Sequence, residues 1–387
     1  MVQTGLDVFL EQRDACRGRR VALVANQTSV TAGREYSWDA FMRGGIDLRR
    51  IFSPEHGIFS TEQDQVAVQT QEGMRCEIVS LYGDSHSSLK PPAGSLDDID
   101  CVVFDIQDVG ARYYTYVNTM ALFMESIAGN DVEFMVLDRP NPLGGETVEG
   151  PVLRNGFESF VGVFHIPVRH GMTAAELALL YRDAHRLDVN LNVVAMRGWR
   201  RTMMYRDTGL QWIPPSPNMP TTTTALVYPG MCMLEGTCVS EGRGTTYPFL
   251  VFGAPFVEPE AFSGELNLLD LPGVFFRPVR FKPVFNKFAG QAIGGAYLHV
   301  LDASAIRPFL TGAAVIKKLY DWYGGDFRFL YDVYEFNSLH PAFDLLAGSA
   351  KIREMICGGE TLAAIADSWR PDEEQFSENR KPYLRYA

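Results

Sequence analysis

Ile99-Asp-Cys-Val-Val-Phe-Asp105 is short, apolar, β-branched and bounded by charge. A run of this kind reads as a strand buried on both faces. It has companions at Arg20–Ala25, Ile46–Phe52, Cys76–Tyr82, Glu133–Asp138 and Leu191–Met196. Between them lie helix-like segments. Trp38–Arg43 stops at Gly44-Gly45, and Tyr116–Ala128 places Val117, Met120, Phe123, Met124 and Ile127 at helical spacing before Gly129-Asn130. Thr173-Ala-Ala-Glu176 is a capping box that opens a further helix carrying Leu177, Leu180 and Tyr181. This alternation implies an α/β fold: a largely parallel sheet with helices on both faces.

The regular texture stops at Trp212–Pro220, which contains four prolines. Proline removes backbone donors and fixes φ, so the segment cannot be regular structure. Together with Thr221–Thr224 it is read as the crossing between two domains, 1–222 and 223–387. A chain of 387 residues also exceeds one ordinary core. The second half is less regular and richer in aromatics. It ends in helix-like stretches at 313–323, 339–346 and 350–357, and the apolar C-terminus 381–386 is expected to dock.

Several function classes are disfavoured. A net charge of −12 without a Lys/Arg cluster argues against nucleic acid as a partner. The six cysteines form no Cys-x-x-Cys pair, and the seven histidines never show metal-ligand spacing, so no metal is expected. Cys101, inside its apolar run, reads as a buried small hydrophobe. No phosphate-binding loop, dinucleotide fingerprint or Gly-x-Ser-x-Gly elbow occurs, so no cofactor is expected either. No leader pattern and no apolar run of membrane-spanning length is visible, which makes the chain cytoplasmic as it stands. The sequence leaves oligomeric state open.

The strands of the first half end in polar loops: Ser53-Pro-Glu-His-Gly57, Asp105–Tyr116, Asp138-Arg-Pro-Asn-Pro142, and Arg169-His-Gly-Met-Thr173 ahead of the capped helix. In a parallel sheet such loops emerge on one edge, so Glu55, Asp108, Arg112, Asp138, Asn141 and His170 can converge on a ligand. Each has a plainer reading. Glu55 can cap a turn, Asp138-Arg139 can be a structural ion pair, Arg112 can buttress the sheet edge, and His170 can bond a helix start. The second half adds Leu234–Thr246, in which Glu235 and Glu241 accompany Arg243 between Gly242 and Gly244. Its plain reading is a Gly-rich surface turn. Carboxylates with Tyr, Arg, Asn and Trp suit a sugar: rings stack, amides and guanidinium grip hydroxyls, and acids handle the proton at the glycosidic oxygen.

These segments, together with Ser-Pro-Asn-Met-Pro at 216–220, Glu-Gly-Thr-x-x-Ser-Glu-Gly-Arg-Gly-Thr at 235–245 and the Tyr-Leu-x-Tyr ending, resemble the NamZ-type exo-β-N-acetylmuramidases. The matches run in order across nearly the whole chain. The resemblance implies a Rossmann-like N-terminal domain without a nucleotide, a smaller α+β C-terminal domain, and an active-site cleft between them. It implies release of terminal N-acetylmuramic acid (MurNAc) from the non-reducing end of peptidoglycan fragments, and it puts the family's proposed catalytic Glu at Glu55. Members are often exported. Glu55 would then be the general acid. Asp108 and Glu241 are candidates for a second acid, with Glu241 favoured because it would face Glu55 across the domain gap; alternatively the substrate's own acetamido group attacks. The lactyl carboxylate of MurNAc needs a cation, for which Arg243, Arg112 and Arg169 are candidates and His170 a weaker one. His56, Tyr113, Tyr116, Asp138, Asn141, Asn218 and Glu235 complete the expected substrate contacts. The rival readings are a glycosidase for another acidic sugar and a glycan-binding protein that has lost the chemistry.

Overall fold

The computed structural model describes residues 1–12, 16–63, 65–67 and 76–387. The first domain holds six strands: β1 (Arg20–Ala25), β2 (Asp47–Ser53), β3 (Glu77–Ser80), β4 (Cys101–Asp105), β5 (Glu133–Leu137) and β6 (Leu191–Val194). They form one sheet in the order β3-β2-β1-β4-β5-β6, and every neighbouring pair is parallel. That is the Rossmann-like order, in which the chain reverses direction across the sheet between β1 and β4.

The period-2 alternation of the strands sorts their side chains between two layers. Val21, Leu23, Val103 and Met135 pack with helices α1 (Gly5–Glu11) and α2 (Ser37–Arg43). Ala22, Val24, Val102, Phe104 and Phe134 pack with α3 (Thr115–Ile127) and α4 (Ala174–His185) on the other face. Cys101 is buried among the first set. The capping box at α4 forms as the sequence suggests: the Glu176 amide donates to the Thr173 hydroxyl, and the Thr173 amide donates to the Glu176 carboxylate at 3.0 Å.

The second, smaller domain contains α5 (Thr222–Met231), β7 (Val251–Ala254), α6 (Pro259–Asn267), β8 (Val274–Phe281), β9 (Ile293–Val300) and α7 (Pro308–Tyr323). After these come α8 (Ala342–Ala347), α9 (Lys351–Cys357), α10 (Leu362–Asp367) and α11 (Arg370–Asn379). The strands make a three-stranded antiparallel sheet in the order β7-β9-β8. Helices α5 and α7 cross at two glycines; a Cβ on Gly312 would stand 2.2 Å from the Gly230 carbonyl oxygen, so only hydrogen fits there.

Thr221 caps α5 by accepting the Thr224 amide at 3.1 Å, and the helix begins at the next residue. The proline-rich stretch before it is irregular but pinned. The Pro215 carbonyl accepts from the hydroxyls of Ser60, at 2.8 Å, and Tyr116. The C-terminus returns to the first domain. The Tyr386 hydroxyl donates to Asp138 and accepts the Met196 amide at 3.0 Å, while the Arg385 amide donates to Glu176 at 2.7 Å. Among the described residues no helix is long and apolar enough to cross a membrane.

Candidate active site

β2 ends at Ser53, and the chain turns through Pro54 into two successive left-handed residues, His56 (φ 69°) and Gly57 (φ 81°). A histidine in that region is uncommon and needs an anchor. It has one in the Glu62 carbonyl oxygen, 2.9 Å from Nδ1. The turn projects Glu55 inward, 3% exposed. Its Oε2 accepts from the Thr115 hydroxyl at 2.7 Å, and Gln65 offers its amide to Oε1 at 3.4 Å. Thr115 is the first residue of α3, so the carboxylate lies where helix amides favour negative charge.

Glu55 lines a small pocket of about 40 Å³ between the domains. Of the residues expected from sequence, the pocket gathers Glu55, His56, Tyr113, Asn218, Glu235 and Arg243. Arg243 donates to Glu235 at 2.7 Å and lies 5.2 Å over the Phe249 ring. The other Glu235 oxygen accepts from the Tyr334 hydroxyl, also at 2.7 Å, and burial holds that phenol well above its usual range. Tyr334, Glu335 and Thr115 line the pocket without having been singled out in the sequence. Tyr334 and Glu335 lie in a segment with no motif of its own, whereas Thr115 lies within the Asp105–Tyr116 loop, beside the residues named there.

A second cavity of about 170 Å³ adjoins the first; it shares Glu235, Arg243 and Tyr334 and adds Glu241 and Lys287. Glu241 therefore does not face Glu55 in one pocket as expected. Lys287, a residue given no role from sequence, pairs with it at 2.9 Å, and Arg243 Nε lies 3.5 Å from its other oxygen. Lys287 also donates to the Leu234 and Val239 carbonyls at 3.0 and 3.1 Å, so this ion pair ties the Gly-rich loop together.

The remaining candidates share the sheet edge but do not line the Glu55 pocket. Loops leaving a parallel sheet carry carbonyls and amides that no ladder satisfies, and these side chains satisfy them instead. Arg112 donates to the carbonyls of Pro151, Ile166 and Leu346 at 2.7–2.8 Å. Arg169 donates to the Leu143 carbonyl at 2.6 Å, and Asn141 to that of Met172 at 2.9 Å. Tyr116 donates to Pro215, Asp138 accepts the Ala175 amide at 3.0 Å, and His170 Nδ1 accepts the Met172 amide at 3.1 Å. Arg139 pairs with Asp105 at 2.7 Å rather than with Asp138. Asp108 accepts the Gly110 amide at 2.7 Å and stands 3.9 Å from His170 Nε2.

Burial pushes the Asp108 and Asp138 carboxyls up to about 7 and the His170 imidazole down to about 3. Below neutrality Asp108 and His170 can thus coexist largely uncharged. An acid whose folded pKa lies above its unfolded value of about 3.9 favours the fold most below that value, and loses the contribution as pH rises toward 7. Asp108→Asn fixes the neutral form. Relative to the parent it should gain about 2 kcal/mol between pH 5 and pH 8, read from urea midpoints. Equal relative stability at both values would sink this assignment. Among the described residues no group of three or more His, Cys, Asp or Glu side chains could hold a metal ion.

Comparison with known proteins covers the whole chain. The family model for the exo-β-N-acetylmuramidase NamZ N-terminal domain matches residues 21–223, and that for the NamZ C-terminal domain matches 226–386. The peptidoglycan β-N-acetylmuramidase NamZ of Bacillus subtilis (strain 168) is 42% identical over 389 residues, spanning 100% of this chain and 91% of that protein. Two crystal structures of DUF1343 family proteins from Bacteroides fragilis NCTC 9343 share the fold with TM-scores of 0.89 and 0.79. Their identities are 36% and 30%, and each match covers 100% of this chain and 99% of theirs.

Proposed function

The chain belongs to the exo-β-N-acetylmuramidase NamZ family, and we propose that it is a glycoside hydrolase releasing terminal β-linked MurNAc from the non-reducing end of peptidoglycan fragments. The observation that carries this reading is that one pocket, built from both domains, holds Glu55 and Arg243 together. In this reading residues 1–222 bring the acid and residues 223–387 bring the cation. Glu55 donates a proton to the glycosidic oxygen as the bond to C1 breaks, so that the aglycone leaves as a neutral alcohol. Thr115 fixes one carboxylate oxygen and thereby aims the other.

MurNAc differs from N-acetylglucosamine (GlcNAc) by its lactyl carboxylate. Of the three arginines considered from sequence, Arg243 borders the pocket, whereas Arg112 and Arg169 give their terminal N–H groups to buried carbonyls. Arg243 is held by Glu235 and lies beside Glu241, and its planar guanidinium at the pocket wall has the geometry that suits a carboxylate. Chromophore release from an aryl β-MurNAc glycoside, beside its β-GlcNAc analogue, tests the assignment. Turnover of the first alone is expected. Arg243→Ala should raise KM for the MurNAc glycoside by roughly 10- to 100-fold, the scale of a lost charge-assisted contact. Equal turnover of both glycosides would remove the lactyl group from the recognition. A folded protein that cleaves neither would be a binding protein or would act on another sugar.

A further inference from the structure

The segment Tyr334–Asn337 is a two-residue hairpin turn. The Tyr334 amide donates to the Asn337 carbonyl at 3.0 Å, and the Asn337 amide returns to the Tyr334 carbonyl at 2.9 Å. Its central residues, Glu335 and Phe336, have φ of 46° and 63°. This is the mirror-image turn usually built from Asn-Gly, because both central residues must be left-handed. A glutamate and a phenylalanine in succession there are strained, and such strain persists only where the surroundings over-determine it.

The surroundings come from the other domain. Tyr82, just beyond β3, places its ring 5.6 Å from that of Phe336 and 5.6 Å from that of Phe160. Its hydroxyl donates to Glu335 Oε2 at 2.9 Å. The same aromatic therefore seats the turn and orients the acid. Glu335, 6% exposed, lines the pocket that holds Glu55. The pocket's third carboxylate, Glu235, is engaged by Arg243 and Tyr334, and Glu241 is bound to Lys287 in the adjoining cavity. Glu55 enters from the first domain and Glu335 from the second.

We propose that Glu335 is the second carboxylate of the reaction and acts as general base toward water, an inference that rests on the function proposed above. As the water oxygen bonds to C1, one of its protons passes to Glu335. The bond from C1 to the glycosidic oxygen breaks with its electron pair on oxygen, which takes the proton of Glu55. MurNAc leaves with a new anomeric hydroxyl, the aglycone leaves as an alcohol, and proton exchange with solvent resets both acids. Tyr82 is a positioning residue.

The test compares the parent with Glu335→Gln, Glu335→Gly and Glu55→Gln on two aryl β-MurNAc glycosides, one with a poor and one with a good leaving group. Glu335→Gln should lose kcat on the order of 10²-fold or more on both, the scale of a lost general base. Glu55→Gln should recover much of its rate on the good leaving group, which needs no protonation. Glu335→Gly suits the left-handed turn and should stay folded, with added azide restoring turnover by occupying the vacated space. The anomer first formed by the parent should be inverted. Turnover within a few-fold of the parent for either Glu335 variant, loss confined to the poor leaving group, or a retained anomer overturns the assignment alone. A parent that cleaves no β-MurNAc glycoside overturns the proposed function and this inference together.

Discussion

Glu55→Gln should lower kcat on an aryl β-MurNAc glycoside with a poor leaving group by on the order of 10³–10⁴-fold, with little change in KM. The substitution keeps the shape of the side chain and an oxygen able to accept from Thr115, so the turn after β2 stays in place. It removes the transferable proton. That proton matters only as charge builds on the departing oxygen, so the loss falls on the transition state and not on ground-state binding. Steady-state kinetics with a thermal melt in parallel checks both parts. Parent-like kcat in a folded variant would take Glu55 out of the chemistry.

Arg112→Ala should cost about 3–5 kcal/mol of stability without the signature of a binding defect. The side chain is 0% exposed and serves three backbone carbonyls, those of Pro151 and Ile166 in the first domain and Leu346 at the end of α8. Alanine would leave these acceptors dry and open a cavity beside Gly348, where a Cβ would already lie 2.8 Å from Arg112 Nη2. Burial pushes this guanidinium down to about 10, so it still carries its charge at neutral pH. Arg112→Lys should rescue little, because one ammonium cannot reproduce a planar fork that reaches carbonyls in different directions. Urea unfolding measures the loss. A folded Arg112→Ala protein with unchanged stability but a raised KM would return this residue to the list of lactyl contacts.

The two predictions mark where sequence was informative. The strands and the α4 cap were legible because their signals are local: apolar runs with period 2, and a Thr and a Glu three residues apart. Glu55 stood out because a Pro-Glu-His-Gly turn directly follows one of those strands. Asp108, Arg112, Asp138, Asn141, Arg169 and His170 were equally visible as polar residues on the sheet edge. Sequence could not say whether their donors and acceptors meet a ligand or the backbone of a neighbouring loop, and the structure gives them the backbone. Glu241 was visible too, but its partner Lys287 lies 46 residues away with nothing to join them in the chain. Tyr334 and Glu335 had no signal, since their value comes from contacts such as that with Tyr82, 253 residues away.

The return of the C-terminus to the first domain bears on how such a protein could arise and be re-engineered. Asp138 and Glu176, both buried in the first domain, find partners in Tyr386 and Arg385 at separations of 248 and 209 residues. One apolar cluster also runs from α3 and α4 through α5, α7 and α8 without a break. Closing loops of that length adds only modestly to the entropy of folding, though contacts so remote in sequence slow its rate. The two halves are thus poor candidates for shuffling. A first domain grafted onto a foreign second domain would inherit the acid of the pocket but would forfeit the tail that completes its own interior.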